Sequence, residues 1–524
     1  MNYGFVIDNR KCIGCHACTV ACKAEHDTPI GVNRTWVKYV EKGVFPETRR
    51  TFTVHRCNHC TDAPCVEICP VRSLYVREDG IVDFDRERCI GCKACMQACP
   101  YDALHIDPNT HTSTKCNYCA HRIDRGLEPA CVIVCPVHAI ISGDIDDPGS
   151  EIGHLLNRTP VAVRKPEKDT HPKLFYVESD ASALRPEMAP SSPGYLQAEQ
   201  VAGVGHFAGE TGTTRESLLK LLPYSADTIA RAEGKVRKET DPRRAYDIPQ
   251  RGVLWDWEVS GYLWTKSIAA GVLFLPLLLH LGGLMALRPR LQVGLALISL
   301  VFLGLTGVLL VKDLDQPQRF LYVLLRPQWR SWLVRGAYII TGFGGLTTLW
   351  LLLAVVGLGD APWLMALLAV LAILAAVYTA FLLGQAKGRD LWQSPLLPVR
   401  MLVASTMTGS AVVLLVSLFG DMGVQHAALV ALELAIVAHL LLVSFEFLTP
   451  HVTADTATAL GLMTRGPLRL PFWSALLLGN VLPLAMLAGS SNGLMVLPAC
   501  VLVLLFAWVS EHVWVRAPQL IPLS

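Results

Sequence analysis

Hydrophobic and polar positions divide this chain near residue 255. Before that point lie most of the cysteines and then, from about 144 to 251, a polar stretch rich in proline and glycine. After it come apolar runs of roughly 20 residues, the length at which a helix crosses a bilayer with every backbone group satisfied internally. Eight such runs are expected, at approximately 260–287, 291–311, 332–358, 362–385, 399–420, 425–447, 470–489 and 493–514. An even number of crossings puts both ends of the membrane domain on one face, and the cysteine-rich head shares that face.

Composition agrees with a divided molecule. The 524 residues leave room for several domains, and 52% hydrophobic residues with a mean hydropathy of +0.38 are too apolar for an ordinary soluble protein. A net charge of +2 gives no reason to expect nucleic acid as a partner. Loop charge is more telling. The head-side connections and tail carry Lys312, Arg319, Arg326, Arg330, Lys387, Arg389, Arg400, Arg465, Arg469 and Arg516, against Arg288 and Arg290 on the other side. By the positive-inside rule this predicts a multi-pass protein of the inner (cytoplasmic) membrane with its head on the cytoplasmic face. No secretory or twin-arginine leader precedes Cys12, which points the same way. The same arginines are also suited to docking the head.

The chemistry lies in the cysteines. Sixteen of seventeen fall in four groups: Cys12, Cys15, Cys18, Cys22; Cys57, Cys60, Cys65, Cys69; Cys89, Cys92, Cys95, Cys99; and Cys116, Cys119, Cys131, Cys135. The first and third groups read C-x2-C-x2-C-x3-C, the run in which three close thiolates hold one cubane and the fourth reaches a neighbouring one. Proline follows the fourth cysteine in three groups, at Pro70, Pro100 and Pro136. Soft anionic sulfur suits iron, and Gly14 and Gly91 let the turns CIGCHAC and CIGCKAC bring backbone N–H groups close to the sulfides. A disulfide scaffold suits a small secreted domain rather than a membrane-like chain, and structural zinc favours isolated C-x2-C pairs set well apart. The lone Cys500, in the eighth run, reads as a small buried hydrophobe.

Residues 1 to about 185, with these four groups and the segment VRKPEKDTHPKLFYVES, resemble the four-cluster iron–sulfur subunit of the dimethyl sulfoxide and polysulfide reductase family. From about 254 onward, GYLWTKSIAAG and KDLDQPQRFLYVLLRPQWRSWLVRGAY resemble the NrfD/polysulfide reductase membrane-anchor family, and helices five to eight match it by hydropathy alone. The resemblance implies a fusion of two subunits. An α+β double ferredoxin-like head (1–185) with four [4Fe-4S] clusters joins, through a linker (186–253), an all-α membrane domain (254–524) of eight transmembrane helices in two four-helix bundles. It also implies a pairing of first group with fourth and second with third. The ligand sets are then Cys12, Cys15, Cys18 and Cys135; Cys22, Cys116, Cys119 and Cys131; Cys57, Cys60, Cys65 and Cys99; and Cys69, Cys89, Cys92 and Cys95.

At the membrane end the expected electron carrier is a quinone, menaquinone or ubiquinone, which needs an apolar slot, hydrogen-bonding groups and a proton route. Trp264, Thr265 and Lys266 on the first helix, and Asp313, Asp315, Arg319, Arg330 and Trp332 between the second and third, are the candidates; Lys266, Asp313, Arg319 and Trp332 are chosen for quinone and proton handling. Each has a plainer role open to it: Lys266 as a snorkelling topology anchor, the arginines as docking or lipid contacts. Deeper lie His280, Glu433, His439 and Glu446, of which the last two share a helix face; they suit either a proton path or buried hydrogen bonding. His280 and His439, with His426 near a boundary, supply at most one bis-histidine haem, and the resembling family carries none, so no haem is expected.

No dinucleotide fingerprint or nucleophile–base arrangement is present, so substrate chemistry belongs to another subunit. The resemblance implies a molybdenum or tungsten bis-pterin catalytic partner, with this chain passing electrons between it and the quinone pool. An adaptor for a hydrogenase or multihaem cytochrome is the alternative, and a proton-translocating module related to alternative complex III a third. The segment ESLLKLLPYSADTIARAEGKVRK in the linker is suited to short amphipathic helices.

Overall fold

In the computed structural model, residues 1–189, 196–197, 241–248, 252–418, 422–488 and 495–524 are described. The linker segment read above as amphipathic helices lies outside them.

Among the described residues, twelve strands follow in chain order: β1 (Tyr3–Asp8), β2 (Thr35–Val44), β3 (Glu47–Arg56), β4 (Leu74–Val76), β5 (Val82–Phe84), β6 (Leu104–Asp107), β7 (Thr112–Lys115), β8 (Ile140–Asp144), β9 (Val161–Ala162), β10 (Leu174–Val177), β11 (Leu196–Gln197) and β12 (Arg243–Asp247). One sheet has the order β8-β1-β10-β9, with β1 antiparallel to β8 and parallel to β10. The period-2 alternation of β1 sends Phe5 and Ile7 to one face, packed with Cys18, Cys131 and Tyr118. Val6 goes to the other face, against Ile152 of the helix Glu151–Arg158. The second sheet has the order β11-β12-β2-β3. Its strand β12 comes from the segment assigned above to the linker, so the polypeptide returns to the head before entering the membrane. The two remaining hairpins, β4–β5 and β6–β7, follow the second and third cysteine groups.

Each C-x3-C step is one helical turn. The helices Ala17–Glu25, Pro64–Ile68 and Ala94–Ala98 place Cys18 and Cys22, Cys65 and Cys69, and Cys95 and Cys99 four residues apart along the axis. The turns before the first and third of these are near copies: Gly14 and Gly91 both sit at φ 71°, and His16 and Lys93 at 61° and 59°.

Among the described residues, eight helices are long and apolar enough to cross a membrane: Trp257–Leu281, Pro289–Lys312, Trp332–Val355, Pro362–Gly384, Leu397–Ser417, Met422–Leu448, Arg469–Ala488 and Val496–Leu520, called spans one to eight. They match the expected runs to within a few residues, with two differences. Span one stops at Leu281 rather than near 287, because Gly282 and Gly283 break it and the His280 ring accepts from Leu287 N. Span eight runs on past 514 as a 3-10 turn over Ala517–Leu520. Spans two, three and six bury less than a third of their apolar windows. On span two, Leu297, Val301, Leu305 and Val308 form an exposed apolar stripe, a surface that only lipid or another apolar body covers. The chain is a multi-pass membrane protein. Spans one and five cross closely: a Cβ on Gly271 would stand 2.9 Å from the Gly409 Cα. Span seven opens into a π-turn at Leu477–Val481.

Head and membrane helices share a hydrophobic core in which Cys57, Cys69, Cys95 and Ile68 pack with Trp255, Tyr262, Leu382 and Trp392.

Candidate functional site

Folding interleaves the cysteine groups. Cys12 lies beside Cys135 and Cys15, and all three line one small cavity with Cys18. Cys22 neighbours Cys116, Cys131 and Cys119. Cys65 neighbours Cys99, Cys57 and Cys60. Cys95 neighbours Cys92, Cys89 and Cys69. Cys18 also lies close to Cys131, and Cys116 close to Cys57, so three of the sets run on from one another, and the helix Pro64–Ile68, with Cys65 within it and Cys69 at its end, joins the third to the fourth.

These sets suit a bulky anionic metal–sulfur core. All sixteen are free thiols, yet most are buried. Among the described residues no three converge on a point that a single metal ion would occupy, whereas a cubane holds its four thiolates apart. Burial pushes the Cys18 and Cys116 thiols up to about 12 and the Cys119 thiol to about 11, so their ionised form is favoured only when metal binds. Donors already point at sulfur. Ser73 N, Ser113 N and Ala139 N lie 3.3, 3.4 and 3.2 Å from Cys69, Cys89 and Cys135 Sγ. The Arg56 guanidinium donates to Cys131 Sγ at 3.0 Å, and His26 Nε2 lies 3.3 Å from Cys119 Sγ.

The set of Cys69, Cys89, Cys92 and Cys95 meets the membrane domain. The connection from span two to span three folds under it: Gln316 N donates to Ile90 O at 3.2 Å, Gln328 N to Pro70 O at 2.9 Å, and Ser331 Oγ to Ile68 O at 2.6 Å. Trp255 Nε1 donates to Cys92 O at 3.1 Å. Beside Cys92 opens a cavity of about 240 Å³. Its walls are mostly aliphatic and aromatic, from spans one to four and the connection, with Asp313, Tyr262, Tyr378 and Thr341 as the polar groups. Asp313 stands one residue beyond span two. Burial raises its carboxyl to about 7; Lys93 opposes the shift, while Glu258 and Asp315 add to it.

Comparison with known proteins places both halves. Residues 249–521 match the family described as "Polysulphide reductase, NrfD", which is more than half of the chain. The chain belongs to that family. Residues 48–145 match the 4Fe-4S dicluster domain and residues 10–25 a 4Fe-4S binding domain. A tetrathionate reductase subunit of Salmonella typhimurium is 45% identical over 199 residues, 37% of this chain and 80% of that protein. A polysulfide reductase polypeptide of Wolinella succinogenes is 44% identical over 187 residues, 35% of this chain and 97% of that protein. The arsenate respiratory reductase iron–sulfur subunit of a Shewanella strain is 34% identical over 227 residues, 34% of this chain and 97% of that protein. The chain is therefore an iron–sulfur electron-transfer subunit fused to an NrfD anchor.

Within this NrfD fusion the residues singled out by sequence divide. Asp313 lines the cavity. Asp315 pairs with Lys93 at 3.1 Å. Arg319 donates to Arg86 O and Cys89 O at 2.9 and 3.0 Å, holding the head, and Arg330 O accepts from Gln385. Trp332 stacks on Phe381 with ring centroids 4.5 Å apart. Lys266 does not snorkel: it is buried, with Nζ on Ala376 O at 2.8 Å and on Thr379 Oγ1, 4.9 Å from the centre of the Tyr378 ring. Trp264 donates to Leu504 O, and the Thr265 and Thr306 hydroxyls bond at 2.8 Å. His280 caps the far end of span one. His439 bonds Asn480 at the π-turn at 2.9 Å, and Glu446 accepts from Ser394 Oγ at 3.0 Å, while Glu433 is only partly buried. Sequence reasoning missed Trp255, Tyr262 and Tyr378. The signal available was a hydroxyl-bearing aromatic inside an apolar span, common enough to pass as packing.

Proposed function

We propose that the head holds four [4Fe-4S] clusters in the sets described above, that the cavity beside Cys92 is a quinone pocket, and that the chain carries electrons between the quinone pool and a docked catalytic subunit. When bound, such clusters exchange single electrons. The observation that supports this most is the cavity itself: an apolar slot of about 240 Å³ with a cysteine of the membrane-facing set on its wall and one acid at its edge. Trp255 and Arg319 fix the distance between that wall and the membrane helices. In this reading Tyr262 and Tyr378, which line the cavity, hydrogen-bond the quinone oxygens, and Asp313 exchanges protons between pocket and solvent. Asp313→Asn is expected to cut quinone-linked electron transfer by about a hundredfold or more with iron content unchanged; turnover equal to the unsubstituted protein removes Asp313 from the reading.

We take the catalytic partner to be molybdopterin-containing, as the family resemblance implies; the relatives are named as subunits of tetrathionate, polysulfide and arsenate reductases, which supports a reductase partner. Purification of the native complex tests this: co-purifying molybdenum or tungsten supports it, and nickel or covalent haem in their place overturns it. We place the head on the cytoplasmic face on loop charge. Arg319 and Arg389 are occupied in docking, whereas Arg326, Arg465 and Arg469 carry the bias without any head contact named above.

A further inference from the structure

Arg56 ends β3 and is wholly buried. Besides its bond to Cys131 Sγ, its guanidinium carbon lies 4.5 Å from the centre of the Phe5 ring, and its Nε and Nη2 meet no acceptor. The largest charges acting on it are the sulfurs of Cys131, Cys116 and Cys18. A guanidinium keeps its charge at any physiological pH, and a buried unpaired charge is costly, so a counter-charge belongs beside it. Two more cations stand around the same set. Arg34 is buried near Cys22, Cys116 and Cys119, its Nε without a partner among the described residues, and the buried Lys115 donates to the carbonyls of Val82 and Cys116.

The membrane-facing set is built differently. Its cations are paired or half-exposed: Lys93 is matched by Asp315 at 3.1 Å and Asp313 at 4.0 Å, and the half-exposed Arg319 donates to the Arg86 and Cys89 carbonyls. The donors to its sulfurs, Ser73 N and Ser113 N, are neutral, and the Cys95 thiol donates to the Ser113 hydroxyl at 3.2 Å. Reduction adds negative charge to a cluster, so a fixed uncompensated cation favours the reduced form, and a neutral or acidic surround does not.

We propose that Arg56 holds the cluster of Cys22, Cys116, Cys119 and Cys131 at a higher reduction potential than that of Cys69, Cys89, Cys92 and Cys95, so that electrons fall from the membrane face into the head. With clusters bound, one electron at a time would leave the one held by Cys69, Cys89, Cys92 and Cys95, oxidising it, and would pass by way of the set Cys57, Cys60, Cys65 and Cys99 to reduce the one beside Arg56. Between clusters only electrons move, with no bond formed or broken; in the membrane pocket a quinol would be the donor, its two O–H bonds breaking as it gives up two electrons, one at a time, and two protons, which leave by way of Asp313. The inference rests on the four-cluster reading above and adds a direction to it.

The test is a potentiometric titration of the full-length chain in membranes, followed by EPR, with signals assigned through Cys119→Ser and Cys92→Ser. In the unsubstituted protein the signal altered by Cys119→Ser is expected at the higher potential; the reverse order overturns the proposal. Arg56→Gln is expected to lower that midpoint by at least tenfold in the one-electron equilibrium, 59 mV, Arg56→Lys by less, and the other three midpoints by less. If Arg56→Gln assembles without this cluster, Arg34→Gln reads the same site and is expected to shift it downward. An unchanged midpoint in the variants that keep all four clusters, or equal shifts in all four, overturns the proposal. Iron analysis separates this from the underlying reading: about sixteen irons per unsubstituted chain supports four clusters whatever the potentials do, and about twelve removes one.

Discussion

Asp313 joins the two halves of the molecule at the scale of one side chain. Its carboxyl, ordinarily near 3.8, is raised to about 7 by burial against only partial help from Lys93, with Glu258 and Asp315 nearby. Between those values the folded chain keeps a proton that the unfolded chain has lost, so its contribution to stability falls as pH rises through that window. Relative to Asp313→Asn, the unsubstituted protein is expected to lose up to about 4 kcal/mol between pH 4 and 7, measured as unfolding midpoints in detergent at each pH; parallel profiles for the two proteins would refute the assignment. Gly91 is legible in the sequence as a turn residue. That it also lies under Asp315 is a tertiary fact: a Cβ there would stand 2.6 Å from the Asp315 Cβ, at a φ of 71°. Gly91→Ala is therefore expected to cost about 1–3 kcal/mol and to loosen the membrane-facing set, seen as slower reduction of its EPR signal by quinol, whereas Gly126→Ala, with open space around it, shows only the backbone penalty.

Among elements, the connection between spans two and three has the most to do. Its charges read in sequence as topology signals or pocket residues, and the fold uses several as fasteners. Arg319 reaches two head carbonyls, Ser331 reaches a third, and the short stretch between them follows the turn Cys89–Cys95. Removing a charged donor from these two part-buried hydrogen bonds costs at most about 1.5–3 kcal/mol. Arg319→Ala should thus slow quinone-linked reduction of the head while leaving the iron content intact; a fall in iron with unchanged transfer per remaining cluster would contradict the docking role. Span seven teaches a different lesson. Hydropathy found it at about 470–489, yet no periodicity shows that it opens at Leu477–Val481, where Asn480 turns to His439. Such a π-turn is stabilised by the partner across the bundle, so its cause lies in another helix.

For the whole molecule, the fused design fixes the head over the pocket through a common core rather than a subunit interface. The predicted cytoplasmic placement is checked by reporter fusions in the span two–three connection and the span one–two loop: the first is expected to report the cytoplasm and the second the far side, and the opposite result overturns the orientation. Sequence alone determined the iron–sulfur chemistry and the eight spans, because thiolate spacing and bilayer length are local quantities that act along the chain. It named Asp313 through the oddity of an acid at the end of an apolar run. It was silent on which cysteines meet, beyond what resemblance implied, on the strand β12 that returns to the head, on the burial of Lys266 and Arg56, and on the tyrosines of the cavity. Those were decided by tertiary structure, since each depends on segments far apart in the chain being brought to one place, and a side chain's surroundings are set by its neighbours in space.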